Sequence, residues 1–342
     1  MQGDRAVAAR LRRRLRLPVI AGPMFIASTP ALVVAQCAAG IVGSIPALNA
    51  RSTAAFDEAI AEIEEGLARH DMAHPDRPAA PYAANLVAHR TNDRLGADLA
   101  VTVARRVPIA IVSLAAPAEI VEAVHGYGGL VLNDIVTDRH ARKCAEAGAD
   151  GLVAVSAGAG GHTGQLSPFA LVQEIRAWWD GPLALSGCIA TGRSILAAEA
   201  MGADFAYIGS PFLAAAEANT SAEQKAMIVA SDASHVVVTD CFTGVPATFL
   251  RPSLEAHGID PADLVREAGR GVSIAEGGAN AKAWRDIWSA GQGIGPIRAA
   301  EPAAAFIDRL ALEYEAAARS FTAGLSEAGS TTGRRIPAAA AG

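Results

Sequence analysis

Apolar residues fall into short, mostly unalternated runs separated by amphipathic stretches. The runs are Pro18–Ala21, Ile41–Ser44, Tyr82–Val87, Ile109–Ser113, Gly129–Leu132, Gly151–Val155, Leu183–Ser186 and Phe205–Ile208. Runs that are apolar at nearly every position are expected of parallel strands buried on both faces. Between them the pattern turns helical. Thr29-Pro30 opens the first helix with proline at its first position, and Gly40 closes it. Ser52–His70 is amphipathic with its acids outside. Pro117–Tyr127 and Asp138–Gly148 follow, and Gly148 stands where a left-handed closing glycine belongs. Ser167-Pro168 caps a helix running to Trp179, and Thr191–Gly202 forms another. Eight strands, each followed by a helix, predict an α/β chain folded as a (β/α)8 TIM barrel.

The rhythm breaks after the eighth strand. From about Ala218 to Gly295 the text becomes helical stretches and loops such as Phe242-Thr243-Gly244-Val245-Pro246. We read 218–295 as an inserted, mostly helical substrate domain. Pro302–Phe321 then supplies the missing barrel helix, so the barrel comprises 1–217 plus 296–328. The small, polar segment 329–342 is expected to be a flexible tail.

Composition narrows the classes. The chain has 29 basic and 35 acidic residues, a net charge of −6. That balance argues against an electrostatic nucleic-acid binder, which needs a basic face. The basic run Arg10–Arg16 reads as part of a short helix capping the barrel. The stretch 18–50 is free of charge and long enough to span a bilayer. Pro23, Pro30 and Pro46, with Gly22, Gly40 and Gly43, cut it into pieces, so it reads as strand, helix, strand and no membrane segment is expected. The N-terminus lacks a signal-peptide pattern. Cys37, Cys144, Cys188 and Cys241 are widely spaced with no C-x-x-C, which argues against a metal site or a disulfide framework and fits a reducing cytoplasm. The Ala-rich helical surface permits a homodimer.

The richest local signal is Gly158-Ala159-Gly160-Gly161-His162-Thr163-Gly164, directly after the sixth strand. Glycines let backbone N–H groups approach a flat or anionic ligand. A histidine there can move a proton near neutral pH. In such barrels the site forms at the C-terminal strand ends, which here are Gly22-Pro23-Met24, Asn85, Asn133-Asp134, Gly160-Gly161-His162, Ser186-Gly187-Cys188 and Gly209-Ser210. The last two follow strands seven and eight, where the fold usually builds a phosphate pocket from backbone N–H groups. Neither loop carries a lysine or arginine, although Arg193 is close, so a phosphate would be held mainly by neutral donors. Plainer readings stand beside these. Asn85 fits a satisfied turn asparagine equally well, Asp134 fits a cap of the following helix better than catalysis, and Cys188 fits a small buried residue better than a nucleophile. His162 is the catalytic candidate. His89, after strand three, is the weaker one.

Gly160-Gly161-His162, the run Ala203–Leu213, Gly22-Pro23-Met24 and Trp288-Ser289-Ala290-Gly291-Gln292 together resemble the nitronate monooxygenase family, formerly the 2-nitropropane dioxygenases. The resemblance spans residues 18 to about 300. It implies an FMN-dependent barrel with a smaller helical domain over the flavin and His162 as the catalytic histidine. Gly22, Pro23 and Met24 would lie along the isoalloxazine, and Gly160 and Gly161 would approach it. Ser186, Gly187, Cys188, Gly209 and Ser210 would take the phosphate, and Gln292 would return towards the flavin. Asn85 and Asp134 are added as cofactor-binding candidates, and no metal is expected. Two departures stand out: Gly187-Cys188 where many relatives carry Gly-Gly, and Asn133-Asp134 where some carry a lysine. The implied reaction is oxidation of an alkyl nitronate by O2 to a carbonyl compound and nitrite, in a pocket with Met24, Phe25 and Phe212. Two other readings remain: an NAD(P)H-dependent reductase of quinones or enoyl-type acceptors, and a non-catalytic barrel binding a phosphate ligand.

Overall fold

The computed structural model describes residues 3–115, 117–267 and 284–331. After the helix α1 (Arg5–Arg12), strands and helices alternate: β1 (Val19–Ala21), α2 (Pro30–Ala38), β2 (Gly43–Pro46), α3 (Thr53–Ala73), β3 (Tyr82–Val87) and α4 (Leu95–Ala104). The pattern continues with β4 (Ile109–Ser113), α5 (Ala118–His125), β5 (Leu130–Ile135), α6 (Asp138–Glu146), β6 (Gly151–Val155), α7 (Pro168–Arg176), β7 (Leu183–Ser186), α8 (Gly192–Met201) and β8 (Phe205–Ile208). Then come α9 (Ala222–Val229), β9 (Val236–Thr239), β10 (Ala247–Leu250), α10 (Arg251–Ala256), α11 (Pro261–Glu267) and α12 (Ala303–Thr331).

The first eight strands form one parallel sheet in the order β1-β8-β7-β6-β5-β4-β3-β2. A parallel bridge between Ile20 and Val42 brings its two ends together, with Ala21 N–H donating to Val42 O at 2.7 Å. The chain is a TIM barrel. Side chains alternate along each strand. Ile20, Ala83, Ile109, Ile111, Leu132, Val153, Ala184 and Phe205 fill the interior, while the opposite faces pack under the helices.

Five strands, β3, β4, β6, β7 and β8, have the bounds their apolar runs predict. Strand β2 lies two residues later than expected, because Val42 serves the closing bridge instead. Strand β5 continues to Ile135, so Asn133 and Asp134 are strand residues with defined faces. Asp134 caps nothing: α6 is capped by Thr137, whose hydroxyl accepts from His140 N–H. Ser167 precedes Pro168 at the start of α7 but makes no side-chain cap bond. Helix α4 was not singled out in the sequence, and neither was the antiparallel pair β9–β10 in the stretch after β8. Helix α12 packs against α2 and α8 and runs to Thr331, past the expected end at Phe321 and into the segment expected to be a tail. Residues 332–342 lie outside the described residues, as do 268–283 of the expected insert.

Candidate active site

The glycine loop after β6 is fastened to β10. Thr163 N–H donates to Pro246 O at 3.0 Å, and Thr248 N–H donates to Gly161 O at 2.9 Å. His162 and Ala247 form an antiparallel bridge between them. A third bond comes from Gly161 N–H to Ser289 Oγ (3.1 Å), and Ser289 Oγ lies 3.3 Å from Thr248 Oγ1. His162 is thus presented at the C-terminal end of the barrel by a loop held from outside it. Its imidazole meets Trp284 edge to face, with centroids 5.0 Å apart at 78°. Trp284 in turn meets Phe25 edge-on at 6.4 Å and stacks on Phe249 at 6.3 Å. Desolvation lowers the His162 pKa below its ordinary 6.5, although the residue still reaches solvent. In its neutral form the imidazole has one donor and one acceptor nitrogen.

The strand-seven, strand-eight and 288–292 segments converge on the same loop. Gln292 N–H donates to Gly158 O at 2.9 Å, and Gly291 N–H donates to Ser210 Oγ at 2.8 Å. The close approach requires glycine. A Cβ on Gly160 would stand 2.9 Å from both Ser210 Oγ and Gly291 N, and one on Gly158 would overlap Cys188 Sγ. Gly161 and Gly209 face open space instead: a Cβ on Gly161 meets nothing within 4 Å, and one on Gly209 meets only Met24, at 3.8 Å. Among the described residues, the amides of Gly160, Gly187, Cys188 and Gly209 donate to no protein acceptor. Gly209 combines an unclaimed N–H with open space beside it, which is what an anionic or planar ligand needs. The Ser210 hydroxyl already accepts one bond, which leaves its proton available.

Cys188 departs from expectation. It is exposed, with φ +59, in the left-handed region that favours glycine. Its thiol lies 3.9 Å from both Ala157 O and Gln292 Oε1, and desolvation raises its pKa. Gly22 N–H is used by Ile208 O (2.8 Å) and Met24 N–H by Ser28 Oγ (3.0 Å), so this loop offers surface rather than amide donors. Phe25 is exposed there, but Phe212 is not at the site: it is fully buried against Phe306 at 5.2 Å. The reason is that Phe212 lies on the short 3-10 turn after β8, which directs it under α12.

Asn85 and Asp134 meet inside the barrel's last layer. Asn85 Nδ2 donates to Ser113 Oγ (2.8 Å) and to Ile111 O (3.1 Å), and Ser113 Oγ donates to Asp134 Oδ2 (2.5 Å). Asp134 Oδ1, Asn133 Oδ1 and Tyr207 Oη are buried without partners. Burial pushes the Asp134 pKa up to about 6, opposed by the Ser113 bond, and raises that of Tyr207. His89 is bound locally, with Nδ1 2.8 Å from Thr91 Oγ1, and nothing ties it to this site. Sequence reasoning missed Thr248 and Trp284, because nothing in their own neighbourhoods marks them as partners of a loop more than about eighty residues away. Among the described residues, no group of three or more His, Cys, Asp or Glu could hold a metal ion, and no helix is long and apolar enough to cross a membrane.

Comparison with known proteins agrees with this architecture. The family profile described as nitronate monooxygenase matches residues 12–313. A nitronate monooxygenase of Paraburkholderia phytofirmans is 28% identical over 278 residues, which cover 71% of this chain and 76% of the relative. A monooxygenase candidate of Mycobacterium tuberculosis is 40% identical over 136 residues, spanning only 36% of that relative and 40% of this chain. The solved structure of FabK from Thermotoga maritima superposes with a TM-score of 0.74 at 24% identity, covering 94% of this chain and 99% of that one. At that identity it bears on fold alone.

Proposed function

The chain belongs to the nitronate monooxygenase family and is an oxidoreductase; from that premise we propose that it binds FMN at the mouth of the barrel and oxidises alkyl nitronates with O2, yielding a carbonyl compound and nitrite. The observation that carries this reading is the conjunction of His162 with the unclaimed backbone amides of Gly160, Gly187, Cys188 and Gly209, the last of which borders open space. The donor set is neutral and made of backbone groups, which suits a phosphate monoester when no lysine or arginine lies in the loops. Gly187, Cys188, Gly209 and Ser210, with the hydroxyl of Ser186, would hold the phosphate. Gly160, Gly161 and the Gly22-Pro23-Met24 loop would border the ring, and Gln292 would close one side. Asn85 and Asp134 would lie beneath it. Residues 218–295 would form the cover.

Bound there, the flavin would supply the redox chemistry, accepting electrons from the substrate and returning them to O2. The protein's part is positioning and proton handling. A neutral His162 would donate one N–H to an oxygen of the nitronate. With its other nitrogen it would take the α-proton of a neutral nitroalkane. Phe25 and Met24 would offer an apolar surface for the alkyl group.

The test is spectroscopic and kinetic. The purified protein should show an oxidised-flavin spectrum that bleaches anaerobically with an alkyl nitronate and stays oxidised with NADH and NADPH. His162→Ala should retain the flavin and lose turnover by about 10²–10⁴-fold. Rapid bleaching by either nicotinamide would overturn nitronate oxidation in favour of a reductase. Full turnover in flavin-loaded His162→Ala would remove the proton role.

A further inference from the structure

The backbone on either side of His162 is fixed: Thr163 N–H donates to Pro246 O, and Gly161 accepts from Thr248 N–H and donates to Ser289 Oγ. The histidine ring is not fixed in the same way. Among the described residues neither ring nitrogen has a hydrogen-bond partner, and the only aromatic contact of the ring is Trp284. An imidazole held only at Cα still has two free torsions, so its aim depends on what its faces and edges touch.

We propose that Trp284 is a positioning residue for His162: its indole packs edge to face with the imidazole, sets the ring's orientation at the barrel mouth, and keeps water from one side of it. The inference rests on the reading of His162 as the group that handles the substrate proton. Trp284 is itself well anchored. Phe249 of β10 stacks on it with rings 24° apart, and Phe25 of the loop after β1 meets it at 81°. Trp284 therefore bridges the barrel rim and the β9–β10 pair, with His162 in contact. Its backbone sits at φ +62, and its N–H donates to Ile287 O at 2.9 Å. A bulky residue stays in that region only where its surroundings over-determine it.

The lowered His162 pKa fits this arrangement, since desolvation is its only cause and no charged group contributes. The elements fastened to the His162 loop carry uncharged side chains there: Ala247 and Thr248 from β10, and Ser289 and Gln292 from the following segment; Phe25 from the barrel rim touches Trp284. The charges next to Trp284, Arg285 and Asp286, pair with each other at 2.7–2.8 Å.

The decisive experiment is an NMR titration of the His162 imidazole in the protein as purified, with Trp284→Ala, Trp284→Leu and Trp284→Phe. The wild-type midpoint should lie below the ordinary 6.5. Trp284→Ala should raise it by about half a unit or more by admitting water. Trp284→Leu, smaller than the indole and unable to cover the ring as far, should shift it in the same direction by a smaller amount and serves if the alanine variant does not fold. Trp284→Phe, which keeps a ring edge, should leave the midpoint in place. An unchanged midpoint in the alanine or leucine variant would overturn the proposal, as would a phenylalanine variant that shifts as far as either. The titration reads the imidazole and not turnover. A fully active His162→Ala enzyme would therefore sink the proton role while leaving the Trp284 contact standing.

Discussion

Asp134, next to last in β5, lies on the same strand face as Leu130 and Leu132, which point into the barrel, so its carboxyl enters the interior. One oxygen accepts from Ser113 and the other is buried without a partner. The cost of desolvating the anion exceeds what one hydroxyl returns, and the pKa rises from 3.8 to about 6. A folded state that holds the proton more tightly than the unfolded chain is favoured at low pH. The contribution is complete below the unfolded value and is lost as pH rises through the folded one. Between pH 4 and 6 the wild type should lose about 2–3 kcal/mol of stability that Asp134→Asn does not lose, measured by urea unfolding at matched flavin content. At this scale the sequence was only partly legible. Residue type and strand-end position picked out His162, Asn85 and Asp134. The partner of each was hidden, because Ser113 and Trp284 come from other strands and loops, and Phe212 turned inwards for a reason visible only in the packing of α12.

At the scale of elements, the βα unit is short-range and the sequence shows it well. Thr191 caps α8 by accepting from Ser194 N–H, and Thr191 N–H donates in turn to the Ser194 hydroxyl. Gly202 closes the helix at φ +110. Where the element sits is another matter. Gly192, the first residue of α8, is pressed against the backbone of α12, so that an added Cβ would overlap the Tyr314 amide and lie 2.5 Å from the Glu313 carbonyl carbon. Gly192 N–H also donates to Glu313 Oε2 at 2.8 Å. The two nearest atoms are α12 backbone, which cannot move aside as the end of a flexible side chain could. Gly192→Ala should lower stability by about 1–3 kcal/mol or more, seen as an earlier denaturation midpoint with unchanged helix content. Helix α4 escaped detection because Arg94 caps it without a side-chain bond and its sequence lacks a punctuating start. The β9–β10 pair escaped because its two runs are four residues each, too short to separate from loop by pattern alone.

For the whole molecule, the important connection runs between the barrel and the segment after β8. The loop that carries His162 belongs to the barrel by sequence, but its hydrogen bonds go to β10 and to residues 288–292. The mouth of the barrel and the segment after β8 therefore share one hydrogen-bonded unit. Ser289→Ala would leave the Gly161 amide without its acceptor, at a cost of about 1–3 kcal/mol. The expected result is about tenfold or faster hydrogen exchange at Gly161, with little change in the β-strand amides. Equal protection in the variant would show that the loop is held by β10 alone.

The sequence by itself determined the alternation of strands and helices, the parallel sheet, the closing glycines and the loop that carries the histidine. These follow from apolar periodicity, capping chemistry and backbone sterics within a few neighbouring residues, and each leaves a local signature. Only the tertiary structure decided where β2 and β5 stop, which polar groups meet inside the barrel, and that Cys188 is exposed in a left-handed conformation. It also decided that the His162 loop is fastened by Thr248 and Ser289 and faced by Trp284. Those outcomes depend on strand register and on contacts between segments far apart in the chain, where the energy lies in packing and desolvation between partners that no local pattern specifies.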